Sequence, residues 1–386
     1  METASRFLSY GMIGGSRNSF IGVVQRKAIA LDGTAVLKAG CFSRNAETNR
    51  QTGEELGLAE ERIYGNYREM AEREAGRSDK VDFAVVVTQN ASHFEIARTF
   101  LQAGFNVSCD KPLTISSVQA EELAALARQK DLLFCVTYTK TGYPLVKQAR
   151  EMIAHGDIGE VKFVQGEYLQ DWLAVAEQKS GDTKLPLWRV DPKQAGESNC
   201  LADIGTHLEN LVLYMTGLKL RAVCARLDTF GKSGGSLDDN ATVLVEYENG
   251  ARGVYWSSQI AYGNDNALRF RILGSKGSIE WDQENPNSMS VTYFDKPKAI
   301  ISRGRDALYP LAQSFCRIPA GHPEGTFEAF SNIYKAFTHA ILKRKAGEPL
   351  TAADMDYPHV EAGVDGVHFV EKCLESTRNG SVWVKF

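Results

Sequence analysis

The segment RFLSYGMIGGSRNSFIG, residues 6–22, decides the fold, because it joins an apolar run to a glycine-rich turn and then to an amphipathic segment. The apolar run, residues 6–13, predicts a β-strand. In such a strand–turn–helix unit, glycines let the backbone approach a phosphate, and the helix N-terminus attracts its charge. The G-x-G-x-x-G spacing is not met, since Ser16 and Ser19 stand at the second and third glycine positions. An expanded nucleotide-binding turn that opens at Gly14 and a plain glycine-rich turn both fit the sequence.

The same alternation of strand and helix continues through the first third of the chain. Strands are predicted at residues 35–42, 81–88, 106–109 and 132–137, and helices at residues 22–30, 49–57, 67–75, 93–103 and 118–129. Strands that alternate with helices of about ten residues indicate βαβ units and a parallel sheet. The uninterrupted Val85-Val86-Val87 is typical of a strand buried on both faces. We therefore predict a doubly wound α/β domain over residues 1–137.

The pattern changes after residue 137. A helix is predicted at residues 145–154, and from residue 161 most segments resemble strands joined by short turns, at residues 220–227, 241–247, 251–259, 268–273 and 278–281. Asn249-Gly250, between two of them, is a strong hairpin signal. Two helices, at residues 326–342 and 359–375, precede a terminal strand at 381–386. These patterns predict a second, α+β domain with an open, mostly antiparallel sheet over residues 138–386.

The composition is that of an ordinary globular protein. The 386 residues are 43% hydrophobic and 24% charged, which suits about two domains. With 44 Lys and Arg against 48 Asp and Glu, the net charge of -4 supplies no general field for nucleic acid. The N-terminus has no signal-peptide pattern, and no apolar run approaches the roughly 20 residues that span a bilayer. Seven cysteines without a CxxC pair are expected to be buried thiols in a reducing compartment. We expect a cytoplasmic protein without nucleic-acid or membrane partners.

Further strand ends carry polar residues where open α/β sheets bind ligands. The second strand ends at Ser43 and Arg44. An arginine there can pair with the 2′-phosphate of NADP, whereas an acidic residue would hold the ribose of NAD. These residues therefore slightly favour NADP over NAD as the cofactor. Arg44 can also cap its loop or stack on adenine. Lys111 precedes a proline, which keeps it extended and can aim its ammonium into a cleft, although a surface lysine is the common alternative. The other polar residues at these ends are Thr88, Asn90, His93 and Asp110.

A possible proton-transfer pair lies in the second domain, in the stretch CLADIGTHLEN, residues 200–210. If Asp203 begins a helix, His207 lies one turn later on the same face. A carboxylate beside an imidazole orients the ring and stabilises its charged form, as proton transfer requires. The alternatives are an N-cap aspartate and a structural histidine; no HExxH pattern or acidic cluster supports a metal site.

Together these elements resemble the family of glucose-fructose oxidoreductases and inositol dehydrogenases. The matching motifs are the glycine turn, Asp110-Lys111-Pro112 (a form of the family's Glu-Lys-Pro), Asp203-x-Gly-x-His207, Gly156-Asp-Ile-Gly159, Trp188-Arg189 and Leu273-Gly-Ser-Lys-Gly277-Ser278. The resemblance covers essentially the whole chain. Three features depart from it: the expanded glycine turn, Gln89 in place of the usual proline, and the segment TYTKTGYP, residues 137–144, in place of a basic-aromatic segment.

The resemblance implies a Rossmann domain, an open antiparallel sheet, a substrate cleft between them, and a homodimer or homotetramer formed through the outer face of that sheet. It implies Lys111, Asp203 and His207 as the catalytic set, with His207 as general base, Asp203 orienting it or binding a hydroxyl, and Lys111 stabilising the alkoxide. The implied residues for NAD or NADP are Gly14, Gly15, Ser16, Phe20, Ile21, Ser43, Arg44, Thr88, Asn90, His93, Asp110, Lys111, Trp188 and Arg189.

The substrate implied by the same resemblance is an uncharged sugar or cyclitol. The residues placed near it are Lys111, Tyr143, Tyr168, Gln170, Trp172, Arg189, Asp203, His207 and His322. Aromatic faces suit a sugar ring, while amide and guanidinium groups bind hydroxyls; each residue can instead serve packing, and Pro323 and Glu324 fit the first turn of the helix after His322. We predict a nicotinamide-dependent dehydrogenase. The alternatives are an enzyme that recycles tightly bound NAD during glycoside cleavage or isomerisation, and a non-catalytic cofactor-sensing regulator.

Overall fold

A computed structural model describes residues 7–180, 188–231 and 237–386. Residue 6, the first of the predicted opening strand, lies outside these ranges. The chain forms two compact units, Met1–Gly142 with Thr326–Val364 and Tyr143–Gly325 with Asp365–Phe386. Within the described ranges, none of the helices has the length and apolar character needed to cross a membrane.

The helices and strands alternate up to residue 136 and are mostly strands from residue 161 onward. The strands are β1 (Leu8–Gly14), β2 (Ala35–Cys41), β3 (Phe83–Val87), β4 (Asn106–Cys109), β5 (Phe134–Val136), β6 (Val161–Leu169), β7 (Leu220–Asp228), β8 (Asn240–Tyr247), β9 (Arg252–Ser258), β10 (Ala267–Gly274), β11 (Gly277–Asp282), β12 (Ser288–Tyr293), β13 (Lys296–Ser302) and β14 (Val384–Lys385). The α-helices are α1 (Phe20–Leu31), α2 (Ala46–Glu55), α3 (Tyr67–Ala75), α4 (Asn90–Gln102), α5 (Ser117–Gln129), α6 (Pro144–Ala154), α7 (Trp172–Ser180), α8 (Pro192–Ala195), α9 (Thr206–Thr216), α10 (Pro310–Ser314), α11 (Thr326–Lys345) and α12 (Val360–Arg378).

The first unit is built on a five-stranded parallel sheet in the order β2-β1-β3-β4-β5. All five residues of β3 are buried, as its run of valines predicts. The strand order reverses direction at β1 and β3, so ligands are expected at the carboxyl ends of the strands beside that point. The predicted doubly wound α/β fold is confirmed.

The second unit is built on a nine-stranded sheet in the order β13-β12-β11-β10-β6-β9-β8-β7-β14. Its strand pairs are antiparallel except the central one, β6 with β9, which is parallel. Helix α9 packs closely on one face of β6: the side chain of Leu208 lies so near Gly166 that a Cβ there would overlap it. The predicted α+β class with a mostly antiparallel sheet is confirmed, and the parallel pair is a feature that the sequence did not predict.

Several local predictions need correction. Strands β12 and β13 and helix α7 were not predicted. The terminal strand is confined to two residues instead of residues 381–386, since Ser381 has a positive φ of 62° and its carbonyl accepts a hydrogen bond from the Cys224 thiol. All seven cysteines are free, but Cys224 and Cys316 are partly exposed, so the expectation of buried thiols is wrong for these two.

Candidate active site

The turn between β1 and α1 forms a narrow backbone cradle. Gly14 and Gly15 have φ values of +81° and +67°, which residues other than glycine rarely adopt. A Cβ at Gly14 would overlap the Val87 carbonyl, and one at Gly22 would overlap the Cα of Gly15. The backbone of the turn therefore packs directly against β3 and α1. Such close packing fits the approach of a pyrophosphate to the N-terminus of α1 and is the observation that matches a dinucleotide.

The side chains around this turn divide into capping and exposed groups. Ser19 is the N-cap of α1, and its hydroxyl accepts a hydrogen bond from the Gly22 N–H at 3.2 Å. Ser16 and Ile21 are partly exposed, whereas Phe20, the first residue of α1, is 84% exposed. Ser19 thus occupies a predicted glycine position because it begins the helix.

The end of β2 presents no carboxylate within residues 42–45. Ser43 is partly exposed and Arg44 is exposed. The side chain of Asn49 accepts a hydrogen bond from the Phe42 N–H at 2.7 Å, which fixes the backbone just before them. The arginine side chain is therefore available to a ligand at this strand end.

The ends of β3, β4 and β5 are joined by side-chain hydrogen bonds. The ring of His93, which is 1% exposed, contacts the carbonyl oxygens of Pro112 at 2.9 Å and Thr88 at 3.1 Å. Burial lowers the pKa of His93, although the charge of Asp110 opposes this shift. His93 thus ties two strand ends together through the main chain. Asn90, three residues earlier, is buried in the first turn of α4.

Lys111 stands beside a carboxylate that fixes its backbone. Asp110 accepts hydrogen bonds from the Lys111 N–H at 3.0 Å and from the Thr137 hydroxyl at 2.6 Å. The Lys111 side chain is half-buried, and the Lys111–Pro112 peptide bond is cis. This arrangement holds Lys111 at the carboxyl edge of the sheet, as predicted from its place after β4.

A second lysine at this edge, Lys140, was not singled out from the sequence. It lies in the 3₁₀ turn Thr139–Gly142 after β5 and is 5% exposed. Burial lowers the pKa of Lys140 to about 7, and the charge of Lys111 contributes to the shift. One feature of the sequence could have pointed to Lys140: it is the only charged residue between positions 132 and 146. Two lysine side chains therefore stand near each other at this edge, and Lys111 lowers the pKa of Lys140.

In the second unit, Asp203 is held by a hydrogen-bonded chain. The carboxylate accepts a bond from the Gln259 amide at 2.9 Å, and Gln259 accepts one from Asn199 at 2.8 Å. The Arg189 Nε atom lies 3.7 Å from Asp203 Oδ2, the same oxygen that Gln259 binds. Gln259 and Asn199 were missed as site residues, although a glutamine at the end of an apolar strand pattern was visible in the sequence.

The segment that carries Asp203 and His207 is a π-helical turn, Leu201–Gly205, continuous with α9. Asp203 is not the N-cap of this segment, so that alternative is wrong. The carboxylate of Asp238 binds the start of this segment instead, because its oxygens accept hydrogen bonds from the Asn199 and Leu201 N–H groups at 2.8 Å each. His207 is 7% exposed, and the centre of its ring lies 6.0 Å from that of Tyr168.

The polar and aromatic residues predicted near a substrate fall into two groups. Tyr168 and Gln170 both donate to the Asn266 side-chain oxygen, each at 2.7 Å, and burial raises the pKa of Tyr168, which keeps its phenol neutral. Tyr143, by contrast, is 3% exposed and packs against Trp281. The structure therefore places Tyr168 and Gln170 in one network with Asn266, which was missed.

Arg189 also stacks on aromatic rings. Its guanidinium lies 4.7 Å from the ring centre of Trp188 and 6.0 Å from that of Trp172. Trp172 and Trp188 are partly exposed. Arg189 therefore contacts two indole rings and also lies near the Asp203 carboxylate.

His322 lies in an exposed loop that Arg303 anchors. The buried Arg303 pairs with Glu324 at 2.7 Å and donates to the carbonyl of His322. The His322 side chain is exposed. Helix α11 begins at Thr326, so Pro323 and Glu324 precede its first turn, and the prediction that they lie within it is wrong. Glu324 serves instead as the buried partner of Arg303.

Across residues 7–180, 188–231 and 237–386, no group of three or more His, Cys, Asp or Glu side chains is arranged to hold a metal ion.

The fold and the site together define the class of dinucleotide-binding oxidoreductases. The first unit has a parallel sheet with a glycine cradle at its first turn, and the second unit carries a fixed aspartate and a buried histidine.

Comparison with known proteins identifies the family within this class. Residues 8–138 match "Oxidoreductase family, NAD-binding Rossmann fold", and residues 146–280 match "GFO/IDH/MocA C-terminal domain". The uncharacterised oxidoreductase YfiI of Bacillus subtilis (strain 168) is 37% identical over 384 residues, which cover 99% of this chain and 98% of YfiI. The chain belongs to the GFO/IDH/MocA family of oxidoreductases, which confirms the resemblance found in the sequence.

Two solved structures of inositol dehydrogenase homologues from Azotobacter vinelandii are similar over the whole chain. One, a complex with NAD+, has a TM-score of 0.93 and 37% identity, covering 100% of this chain and 98% of that one. The other, a complex with NADH and myo-inositol, has a TM-score of 0.91 and 36% identity, covering 99% and 98%.

Proposed function

We propose that the protein transfers a hydride between a hydroxyl-bearing carbon of a sugar or cyclitol and the nicotinamide of NAD or NADP. The observation that carries this proposal is the buried His207 in one short helical segment with Asp203, whose carboxylate is held by Gln259. An imidazole near a fixed carboxylate is suited to take a proton. The family membership supplies the oxidoreductase chemistry to which such a proton transfer belongs.

Each residue of the proposed catalytic set has a separate role. When bound, the nicotinamide ring takes the hydride from the substrate carbon. His207 removes the hydroxyl proton from the oxygen on that carbon, so that a C=O bond replaces the C–H and O–H bonds. Lys111 stabilises the negative charge that develops on this oxygen, and Asp203 orients His207 or binds a neighbouring hydroxyl.

The proposed substrate is uncharged and carries several hydroxyl groups. The network of Tyr168, Gln170 and Asn266 offers neutral hydrogen-bonding groups, and Trp172 and Trp188 offer ring faces. A phenol kept neutral by burial suits hydroxyls better than it suits cations. The complex of a similar protein with myo-inositol is consistent with a substrate of this class.

The cofactor is proposed to be NAD or NADP, with opposing arguments for each. Exposed Arg44, with no carboxylate at residues 42–45, favours the 2′-phosphate of NADP, whereas the similar structures were solved with NAD+ or NADH. Arg44→Ala is the discriminating variant, because it should weaken NADP binding about tenfold and leave NAD binding unchanged if Arg44 meets the phosphate. Dissociation constants for both cofactors measure this directly.

We further propose that residues 1–137 bind the dinucleotide and that residues 138–386 bind substrate and mediate oligomerisation. One face of the nine-stranded sheet exposes large apolar side chains, among them Phe163, Leu244 and Trp256. Exposed apolar surface of this kind suits an interface between copies, so a homodimer or homotetramer is expected. Light scattering during size-exclusion chromatography would give the oligomeric state.

The proposal is tested by cofactor reduction with NAD and NADP across aldoses, inositols and glycosides. His207→Ala should lower turnover about 10²–10⁴-fold and leave cofactor binding intact. A variant with wild-type turnover would eliminate His207 as the base. Substrate conversion without net cofactor reduction, with cofactor tightly bound, would instead favour internal recycling, and cofactor binding without any conversion would favour a regulator.

A further inference from the structure

Arg26 on α1 contacts the glycine turn, although no role has been assigned to it. Its guanidinium donates a hydrogen bond to the carbonyl oxygen of Gly15 and lies 3.2 Å from the sulfur of Met12. The side chain is half-buried and lies near the buried Tyr10. Since Arg26 is four residues after Gly22, both residues face the turn from the same side of α1.

The bond to Gly15 fixes the direction of the next peptide group. In a trans peptide the C=O and the following N–H point in opposite directions. Because the Gly15 carbonyl points at Arg26, the N–H of Ser16 points away from Arg26. A backbone N–H held in this direction in the turn before a helix is the kind of donor that binds phosphate oxygens.

The charge of Arg26 adds to this effect. A guanidinium stays protonated at any physiological pH. Burial lowers the pKa of Arg26, and the proximity of Tyr10 opposes that shift. A lasting positive charge therefore lies against the turn, where it would attract an anion bound there.

We infer that Arg26 is a positioning residue of the nucleotide-binding turn: by holding the Gly15 carbonyl, it directs the Ser16 N–H and its own positive field at the pyrophosphate. The restraint comes from a side chain of the helix that follows the turn. The inference rests on the proposed nucleotide role of the turn and does not depend on the identity of the substrate.

The test compares ligands with and without a pyrophosphate. Dissociation constants for ADP and adenosine would be measured by calorimetry, without substrate, for the wild type, Arg26→Met, Arg26→Lys and Arg98→Met. Arg98 is the matched control, since it is a partly exposed arginine on α4 that pairs with Glu122. Circular dichroism would verify that each variant is folded.

Arg26→Met should weaken ADP binding roughly ten- to hundredfold while adenosine binding changes little, because a charge-assisted hydrogen bond is lost. Arg26→Lys, which keeps the charge but not the planar fork, should lie between the wild type and Arg26→Met. Arg98→Met should bind both ligands like the wild type.

An unchanged ratio of ADP to adenosine affinity in Arg26→Met would overturn the inference, and so would an equal loss for both ligands. If Arg26→Met does not fold, Arg26→Lys decides the matter, with a change of about threefold expected and an unchanged ratio refuting it. A wild-type protein that binds neither NAD(P) nor ADP would instead overturn the proposed nucleotide role of the turn. The two failures are therefore distinguishable.

Discussion

Lys140 should titrate near neutral pH, several units below an ordinary lysine. Its pKa is lowered to about 7, chiefly because burial penalises the charged ammonium. Relative to a free lysine near 10.4, this shift corresponds to about 5 kcal/mol against the protonated form. At pH 7 about half of the Lys140 side chains are therefore neutral.

NMR of protein labelled with ¹³C at the lysine Cε position measures this pKa directly. The Lys140 signal is identified by its absence from Lys140→Met. We expect that signal to titrate near pH 7, well below the value of about 10.4 for a free lysine. In Lys111→Met the pKa of Lys140 should rise, because a repelling charge is removed.

The same shift affects stability. Since the folded pKa lies below the unfolded one, the unfolded chain binds more protons between pH 7 and 10.4, and stability should rise over that range. Lys140→Met should remove this rise, which thermal unfolding at pH 7 and pH 9 would detect. A Lys140 signal that titrates above pH 9 would refute the reasoning, since burial would then not penalise the charge.

Three further predictions follow from other contacts. Glu209 is 0% exposed, and burial raises the pKa of its carboxyl group. The stability of the protein should therefore fall as the pH rises above about 4.5, where the carboxyl group of the unfolded chain loses its proton. Thermal unfolding should show that Glu209→Gln is more stable than the wild type at pH 8 and loses that advantage near pH 4. Gly22→Ala should weaken NAD(P) binding at least tenfold, because its Cβ would overlap Gly15; a wild-type dissociation constant would mean that the turn adapts at little cost. Gln259→Leu should lower kcat about tenfold or more without changing cofactor affinity, because the Asp203 carboxylate loses the hydrogen bond from the Gln259 amide. Unchanged kinetics would show that Asp203 does not need this bond.

The parallel sheet of the first unit was predictable because its signals are local. Each strand of the parallel sheet is a short apolar run, and each is followed by a helix whose periodicity is visible within about ten residues. Tyr67–Ala75 and Asn106–Cys109 match their predicted bounds. The positions of Lys111 and Thr88 at strand ends followed from the same pattern.

The second unit was less predictable because its decisive contacts are remote in sequence. Nothing local to β6 indicates that it pairs with β9 in parallel. Gln259 and Asn199 are sixty residues apart, and only the folded sheet brings them together at Asp203. Strand β13 was missed because its side chains are mostly exposed, which removes the alternation that marks a half-buried strand.

The parallel pairing of β6 with β9 has a consequence for the order in which the sheet can assemble. Partners such as Phe163 and Arg252 are about ninety residues apart, whereas β7, β8 and β9 form hairpins with near neighbours. On a ribosome that adds about 5–20 residues per second, β6 therefore emerges several seconds before either of its neighbours in the sheet. During that interval both edges of a central strand lack partners, so misfolding and premature association are most favoured there. Mutations that slow the closure of this pair should lower the yield of folded protein even when the finished fold is as stable as before.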